Sequence, residues 1–530
     1  MKPVIFLLLL LTAAAVSESG YVTVPNVTRN DLEFFSSNGF IIDAVFGSKA
    51  RLYTDEVQNT QLRNMGYRVF ESDAVGTDVP YPSYAEIVTA MNDVVSAHPG
   101  IAKIEPYGTS EQGRTLYVVT VSDNVNQDEA EPEIRIHGGI HGDEKSSTMS
   151  VLNFLEVLTD NYGTSDMCNY VVDNAELSII TVINPDGYAA HSRTNANGVD
   201  LNRDFSYMNP SSYWQGSESV ALRNLTMQNW PDQNNYINPY ATGLSFHSGS
   251  ECVNSVWNYS ASAVIQDIDL INAQATAYAQ HPSITAYYGS WDIWVPGASW
   301  YPTEGDVNDW SYGECGTVDY TIEVSDIKSP EDWPGVANAN YMPILEFCTT
   351  STYGIYGTVL DGSGNPLDAL IEVEQVTDSD SSPLRFCHSD VIDGGYSKAL
   401  LPGTYNVVAT VAGHGSLSQN NITVGSEEMV PVNFVFTTGI GEECYQDIFL
   451  KVSVSPNPVA GSCLVTLPDT GVEGTLEIYD ISGRAVYRKA VSAGTGSYSL
   501  NAGGMLPAGV YNVVFTSGRF SASSRMVVAN

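Results

Sequence analysis

A cluster of polar residues at the end of a predicted strand is the part of this sequence best suited to do chemistry. Residues 137–144 read HGGIHGDE and complete a strand predicted at Ile134–His137. His141 and Glu144 lie three residues apart, so an imidazole nitrogen and a carboxylate oxygen at a strand-to-helix turn can face one ion. These two donors suit Zn²⁺, although His-x-x-Glu by itself is common by chance.

Further polar residues follow other predicted strands. The run Arg193–Arg203 comes after the strand that ends near Ile183, while His247 and Glu323 each end a strand of their own. Ligands bind beyond the carboxyl ends of parallel strands, so these groups are expected to share one crevice. Two His and one Glu can bind zinc and leave one coordination position open for water. A second Glu can then accept a proton from that water, so the set suits a zinc hydrolase.

The elements that must position these groups belong to an α/β domain. Between about residues 79 and 350, apolar strands alternate with amphipathic helices, which predicts a three-layer domain with a mixed, largely parallel sheet. One helix is predicted directly after Glu144. The predicted strands are Leu116–Val121, Ile134–His137, Leu177–Ile183, Leu244–His247 and Val318–Val324.

Other segments flank this domain. Residues 1–17 have the three-part form of a secretory signal peptide, and no other stretch is apolar for the roughly 18 residues of a membrane-spanning helix. Residues 18–78 are predicted to form a small α+β unit of two strands and one helix, with strands at Ile41–Val45 and Tyr67–Phe70. Short β runs separated by turn residues predict a β-sandwich over 351–437, a linker over 438–450 and a second β module over 451–530.

Composition excludes one class of function. The 530 residues carry 22 Lys+Arg against 61 Asp+Glu, a net charge of −39, so a nucleic-acid binder that neutralises phosphates is excluded. Residues 451–530 hold six basic and four acidic residues, so the negative charge belongs to the preceding segments. The seven cysteines form no Cys-x-x-Cys pair and are predicted to be disulfides or inert buried thiols.

Residues 79–350 resemble the zinc carboxypeptidases (the metallocarboxypeptidase family), whose motifs recur here in the family's order. The resemblance implies one Zn²⁺ ion with His141, Glu144 and His247 as ligands, and Glu323 as the general base. The substrate it implies is a peptide or protein with a free C-terminus.

The resemblance also implies roles for residues that contact the substrate. Arg193 matches the arginine that stabilises the oxyanion, and Asn202 and Arg203 match the pair that binds the terminal carboxylate. Tyr301 matches the tyrosine that folds over the substrate, and Asn308, like Asn258, aligns with the pocket for the terminal side chain. Since neither pocket residue is charged, a preference for basic C-terminal residues is not implied.

The flanking segments resemble known parts as well. Residues 18–78 are similar to the pro-segment that covers the cleft of many secreted carboxypeptidases, and 351–437 to the transthyretin-like domain of the family's regulatory branch. Residues 451–530 resemble the C-terminal sorting domain of bacterial type IX secretion. Together they imply a protein that is secreted or displayed at the cell surface, with the secretion machinery as a partner.

Two other functions stay open on the sequence. A zinc amidohydrolase acting on cell-wall peptides or acylated amino acids would use the same metal site. Alternatively, the chain is a non-catalytic surface protein whose β domains bind a partner. A test peptide with a blocked C-terminus separates the carboxypeptidase from the amidohydrolase.

Overall fold

The computed structural model describes most of the chain and divides it into two compact units. The described residues are 19–72, 80–207, 213–228, 235–289, 294–376, 381–437, 452–455, 459, 461–467, 474–480, 484–492, 497–517 and 520–529. The predicted signal peptide and the predicted linker lie outside them. One unit runs to residue 438 without 412–415, and the other comprises 412–415 and 439–530.

The described part of the chain begins with an N-terminal subdomain, residues 20–71, that has a four-stranded antiparallel sheet in the order β2-β3-β1-β4. Its elements are β1 (Gly20–Pro25), α1 (Arg29–Ser37), β2 (Ile41–Phe46), β3 (Lys49–Thr54), α2 (Glu56–Asn64) and β4 (Phe70–Glu71). Both helices begin with a capping box, formed by Thr28 with Asp31 and by Asp55 with Gln58.

The prediction of two strands and one helix for this segment was wrong. β1 and β3 are short, and β3 buries the charged Arg51 between Ala50 and Leu52, so neither contains a long apolar run; α2 carries few apolar residues beyond the buried Leu62. Of the run Tyr67–Phe70, only Phe70 enters a strand, and the preceding residues are irregular.

The central domain is built on an eight-stranded mixed sheet in the order β13-β12-β14-β11-β7-β8-β6-β5. The strands of this domain, including the small hairpin β9–β10, are β5 (Ala102–Thr109), β6 (Thr115–Val121), β7 (Glu133–His137), β8 (Glu176–Ile180), β9 (Met227–Gln228), β10 (Asn235–Tyr236), β11 (Thr242–His247), β12 (Ser250–Ser255), β13 (Trp294–Pro296) and β14 (Val318–Ser325). The pairs β7–β8, β7–β11, β11–β14 and β12–β13 are parallel, and the other three neighbouring pairs are antiparallel. The mixed sheet of the prediction is confirmed.

Helices cover both faces of this sheet. They are α3 (Tyr84–Ala97), α4 (Lys145–Asn161), α5 (Asp166–Val172), α6 (Pro185–Ala190), α7 (Ser217–Thr226), α8 (Ile268–Ala279), α9 (Pro282–Tyr288), α10 (Val307–Trp310) and α11 (Trp333–Ser351). Val119 faces the apolar cluster with α4 and α11, whereas its neighbour Val118 faces a second cluster with Leu222 of α7 and Trp310 of α10. Every residue of β7, β11 and β14 is buried, as expected for central strands covered on both sides.

A β-sandwich follows α11 within the same compact unit. Its strands are β15 (Gly354–Asp361), β16 (Ala369–Val376), β17 (Ser381–Pro383), β18 (Cys387–His388), β19 (Gly395–Ala399), β20 (Gly403–Val411), β21 (Gly415–Val424), β22 (Met429–Pro431) and β23 (Phe434–Phe436). They form two sheets around a core that includes Ile355, Val407 and Phe434.

The second unit, described by itself, contains two further sheets. The one with order β24-β25-β28 and the one with order β27-β26-β29-β30 enclose an apolar core that includes Val465, Ile478 and Val513. Its elements are β24 (Ser453–Ser455), β25 (Cys463–Thr466), β26 (Gly474–Asp480), β27 (Ala485–Val491), β28 (Ser497–Leu500), α12 (Ala502–Met505), β29 (Gly509–Ser517) and β30 (Phe520–Val528).

The sequence predicts disulfides or inert buried thiols, and no membrane-spanning helix after the signal peptide. The six cysteines in the described residues are all buried and unpaired, so they fall under the inert-thiol alternative, whereas Cys444 lies outside the described residues. Among the helices described, none is both long enough and apolar enough to cross a bilayer.

One glycine in the loop after β7 allows two backbone segments to meet. A Cβ on Gly142 would lie 1.9 Å from the carbonyl carbon of Gly187 and 2.1 Å from the nitrogen of Tyr188. We expect Gly142→Ala to lower Tm by about 5 °C or more, because backbone atoms cannot rotate away as a side chain can. Gly100→Ala, where a Cβ meets no atom within 4 Å, is the control. An unchanged Tm for Gly142→Ala would contradict this packing.

Candidate metal centre and active site

The sheet order brings the predicted metal ligands together. His141 and Glu144 lie in the turn between β7 and α4, with Glu144 as the residue that begins the helix. His247 is the last residue of β11, which pairs with β7 on one side and with β14 on the other. In that second pairing His247 stands opposite Glu323, so side chains from three separate parts of the sequence meet at the carboxyl ends of the central strands.

The three predicted ligands form a compact, buried donor set. His141 Nδ1 lies 2.8 Å from Glu144 Oε1, and His247 Nδ1 lies 2.9 Å from Glu144 Oε2. One donor atom from each residue lies within 4.8 Å of the others, and each residue is at most 3% exposed. Two imidazole nitrogens and one carboxylate that converge in this way fit Zn²⁺ and leave a fourth position open.

Asp200 orients this donor set. Its Oδ1 lies 3.1 Å from His141 Nε2, and its Oδ2 accepts a hydrogen bond of 2.8 Å from Arg193 Nε. A carboxylate on the far nitrogen fixes the imidazole tautomer and leaves Nδ1 for a metal ion. The sequence analysis gave no role to Asp200, although its position two residues before Asn202 was a usable signal.

Glu323 is placed to transfer protons beside the donor set. It is 6% exposed, and its Oε2 has no hydrogen-bond partner among the described residues. Burial and the neighbouring Glu144 raise its pKa well above the usual range of a carboxyl group. A carboxylate with a raised pKa is a better proton acceptor, which suits a general base.

All the predicted site residues line one small cavity. Its volume is ≈ 30 Å³, enough for about one water molecule. The predicted residues among its walls are His141, Glu144, Arg193, Asn202, Arg203, His247, Asn258, Tyr301, Asn308 and Glu323. The predicted convergence on one crevice therefore includes Tyr301 and Asn308, which the sequence placed only by loop spacing.

A carboxylate from the N-terminal subdomain also lines this cavity. Asp43 Oδ1 lies 2.8 Å from Arg193 Nη1 and 2.8 Å from Lys328 Nζ, and Oδ2 lies 2.5 Å from Arg51 Nε. Burial raises the pKa of Asp43, but the cations of Lys328, Arg51 and Arg193 outweigh it and hold the pKa below its usual range. The β2–β3 register skips Asp43, and such a bulge aims a side chain away from the regular pleat.

Backbone carbonyl oxygens near Asp43 accept hydrogen bonds from side chains that were predicted to bind substrate. Arg203 Nη2 donates to the Ile42 carbonyl at 3.3 Å, and Tyr301 Oη donates to the Asp43 carbonyl at 3.3 Å. Trp300 Nε1 donates to the Val45 carbonyl at 3.2 Å. Strand β2 therefore lies across the cavity and explains its small volume.

Lys328 is a second residue that the sequence analysis missed. Its Nζ is fully buried and donates to Glu144 Oε1 at 2.7 Å. Although burial lowers the pKa of Lys328, the carboxylates of Asp143, Asp43 and Glu144 raise it above its usual value. A lone lysine five residues after Glu323 gave no pattern that would have identified it.

Two polar residues near the motifs lie outside the donor set. His137 is fully buried, and neither ring nitrogen has a hydrogen-bond partner among the described residues. Asp186 accepts from Ser110 Oγ and from the Gln112 backbone, both at 2.8 Å, so it holds a neighbouring loop rather than a ligand histidine.

The fold is an α/β architecture that carries a metal donor set at the carboxyl ends of its central strands. Residues 87–343 match the sequence profile of the zinc carboxypeptidases, and residues 453–529 match that of a secretion system C-terminal sorting domain. Residues 87–343 thus belong to the zinc carboxypeptidase family, as their motifs predicted, and the sorting domain is confirmed as well.

Curated relatives are carboxypeptidases. Human carboxypeptidase D is 28% identical over 387 residues, covering 67% of this chain and 27% of its own length. The catalytic chain of human carboxypeptidase N is 27% identical over 402 residues, covering 66% of this chain and 84% of its own length. The chain spans about a quarter of carboxypeptidase D.

Solved structures share the fold. Carboxypeptidase A from Helicoverpa armigera aligns with a TM-score of 0.51 at 16% identity, over 63% of this chain and 98% of that chain. Thrombin activatable fibrinolysis inhibitor aligns with a TM-score of 0.50 at 18% identity, over 63% of this chain and 99% of that chain.

The hydrogen bond from Asp200 to His141 leads to a test of metal affinity. We expect Asp200→Asn to weaken zinc binding by about 10- to 100-fold, because the amide no longer fixes the imidazole that presents Nδ1. Competition with a chromophoric chelator measures the affinity. Asp186→Asn is the matched control, since Asp186 is also buried but contacts none of the three proposed ligands. Equal affinities for the two variants would exclude the orienting role of Asp200.

Proposed function

We propose that this protein is a secreted zinc-dependent carboxypeptidase, made as a latent precursor, that hydrolyses the C-terminal peptide bond of peptides or proteins. The observation that carries the proposal is one cavity that combines a His₂Glu donor set, an unpartnered buried carboxyl group and two arginines. The family to which residues 87–343 belong supports it.

The metal part of the mechanism rests on His141, Glu144 and His247, which would hold one zinc ion. When bound there, zinc supplies Lewis-acid polarisation of the scissile carbonyl and makes nearby water more acidic. Asp200 keeps His141 in the required tautomer.

Proton transfer is assigned to Glu323. Its Oε2 would accept a proton from the attacking water and deliver it to the leaving amide nitrogen, since a single carboxyl group can serve both steps. Arg193, whose guanidinium is buried beside the donor set, would stabilise negative charge on the carbonyl oxygen. One such donor is commonly worth about 3 kcal/mol.

Recognition of the chain end is assigned to Asn202 and Arg203. A guanidinium can bind a terminal carboxylate through two parallel hydrogen bonds, which restricts cleavage to a free C-terminus. Arg203 Nη1 is held by the Asn202 carbonyl at 2.6 Å, so the guanidinium faces the cavity in a fixed orientation. Tyr301 would close over the bound residue from the opposite wall.

The pocket for the terminal side chain is polar. Asn258 Nδ2 donates to Asp306 Oδ1 at 2.9 Å, and Asn308 Oδ1 accepts from Thr321 Oγ1 at 2.9 Å. Asn308 Nδ2, Thr303 Oγ1 and Asp306 Oδ2 are buried without a partner among the described residues. These free groups support a polar terminal residue as the substrate, since an apolar one would leave them unsatisfied.

The segments at the two ends of the chain support a location of the protein outside the cell or at its surface. The sorting domain at residues 453–529 supports export to the cell surface or beyond, with the secretion machinery as its partner. The predicted signal peptide, residues 1–17, would start that route.

The role of Glu323 gives the central test. We expect Glu323→Gln to lower kcat by at least about 10²-fold while zinc content, measured by mass spectrometry, stays the same. The substrate is a peptide with a free C-terminus, and the same peptide with a C-terminal amide is the control, which the wild type should leave intact. Full activity of Glu323→Gln would refute the mechanism, and cleavage of the amidated peptide would instead support the amidohydrolase.

Latency gives a second test. Asp43→Asn removes the charge that Arg51, Arg193 and Lys328 share, so the N-terminal subdomain should bind the cleft more weakly. We expect the uncleaved Asp43→Asn chain to hydrolyse peptide at least about 10-fold faster than the uncleaved wild type. Glu56→Gln, which changes an exposed carboxylate in the same subdomain, is the control. Latency would be contradicted if the wild-type chain were as active before residues 19–72 are removed as it is afterwards.

A further inference from the structure

A residue of the β-sandwich reaches the wall of the pocket for the terminal side chain. Asn258 and Asn308 line the cavity, and Asn308 lies in α10, which the turn Ser311–Cys315 continues directly. The loop between β17 and β18 of the sandwich carries Arg385, whose guanidinium contacts that turn. The sandwich and the central domain belong to the same compact unit, so the sandwich is part of the surroundings of the pocket.

Arg385 holds this turn by its backbone. Its Nε donates to the Tyr312 carbonyl at 2.8 Å, and its Nη2 donates to the Gly313 carbonyl. The last carbonyl groups of a helical segment have no donor within the helix and need one from outside. A guanidinium presents several N–H groups in one plane, so one arginine can bind two neighbouring carbonyl oxygens. The orientation of the turn therefore depends on a residue that the sandwich supplies.

Arg385 also contacts the other wall of the pocket. Its guanidinium carbon lies 5.7 Å from the centre of the Trp257 ring, and Trp257 directly precedes Asn258. The same carbon lies 5.5 Å from the centre of the Tyr312 ring. A guanidinium within about 6 Å of the centre of an aromatic ring is attracted to the electrons of that ring. Arg385 is thus in contact with both segments that carry the asparagines of the pocket.

The two walls are joined to each other as well. Asp309, the residue after Asn308 in α10, accepts two hydrogen bonds from the backbone of the opposite wall. Its Oδ1 accepts from the Asn258 nitrogen at 2.8 Å, and its Oδ2 accepts from the Tyr259 nitrogen at 3.0 Å. A displacement of α10 would therefore move both asparagines that line the pocket.

A buried ion pair fixes the sandwich at this contact. Lys398 Nζ, in β19, lies 3.0 Å from Asp267 Oδ1 of the central domain, and both side chains are at most 3% exposed. Asp267 Oδ2 accepts hydrogen bonds from the Tyr312 hydroxyl at 2.7 Å and from the Arg385 backbone nitrogen at 3.1 Å. Breaking a buried ion pair is costly, so the loop that carries Arg385 is held against the turn.

We propose that Arg385 is a positioning residue through which the sandwich sets the shape of the pocket for the terminal side chain. The use of this pocket by a substrate rests on the proposed carboxypeptidase function, whereas the contacts of Arg385 do not depend on it. These contacts are with the pocket walls, so Arg385 acts on recognition of the terminal residue and not on bond cleavage. Its loss should weaken substrate binding and leave the chemical step unchanged.

Kinetics with two peptides that differ only in the last residue, Gln or Gly, test this role. Arg385→Met keeps a long side chain but removes every N–H donor. We expect KM for the Gln peptide to rise at least about 10-fold, because both walls lose a charged donor, while kcat and zinc content stay within about twofold of the wild type. KM for the Gly peptide, which places no side chain in the pocket, should stay within about twofold.

Two further variants separate positioning from general packing of the sandwich. Leu401→Ala is the matched control, since Leu401 is a sandwich residue that packs against the apolar core of the central domain. It removes packing without removing a donor from the turn, so the ratio of the two KM values should not change. Arg385→Lys keeps one charged donor and should recover part of the lost affinity. It serves for every measurement if Arg385→Met does not fold.

Hydrogen exchange measures the positioning without any substrate. In the zinc-loaded full-length Arg385→Met chain, the amides of residues 257–259 and 309–313 should exchange at least about 10-fold faster than in the wild type. The amides of β7 and α4, which lie outside the two pocket walls, should keep their wild-type rates.

Two results would overturn the proposal. One is an unchanged rate of hydrogen exchange in both pocket walls. The other is an equal rise in KM for the Gln and Gly peptides, which would show a general loss of structure. If the wild type cleaved neither peptide, the proposed function would fail, while hydrogen exchange would still decide whether Arg385 positions the two walls.

Discussion

The interior of the site depends on neutralising carboxylates that are removed from water. Burying one charge costs several kcal/mol unless opposite charges and hydrogen bonds surround it. Glu144, Asp143 and Asp200 are buried in the central domain, and Arg193 and Lys328 are the cations placed among them. Asp43 completes this charge network from the N-terminal subdomain, which therefore contacts the cleft through ion pairs as well as through the apolar packing of Trp300 and Tyr301.

The same constraint accounts for the positions of the reactive groups. Parallel pairing of β7, β11 and β14 delivers His141, His247 and Glu323 to one edge, and full burial of these strands excludes bulk water behind them. In such surroundings each charge acts more strongly on its neighbours than it would in water. Glu144 therefore both attracts the imidazoles and raises the pKa of Glu323.

The sequence allowed the mixed sheet and the convergence of the proposed ligands on one crevice to be predicted, because both leave local patterns. His141 and Glu144 share a turn, and His247 and Glu323 end apolar strands. Asp43 and Lys328 left no such pattern, since their roles arise only when distant segments fold together. Asp43 also depends on a bulge in the β2–β3 register that no residue type signals. In the N-terminal subdomain, β3 was missed because it carries Arg51, which the fold buries by pairing with Asp43, and α2 was missed because Leu62 is its only buried residue.

The way β2 crosses the cleft bears on the proposed latency. The strand offers carbonyl oxygens to Arg203, Tyr301 and Trp300 and a side-chain carboxylate to Arg193, but it enters and leaves the cleft as continuous chain. An enzyme that trims only free chain ends has no end to act on there. If the proposed exopeptidase activity and latency hold, the blocking strand is not a substrate of the site it fills, and activation needs an endopeptidase that cuts elsewhere.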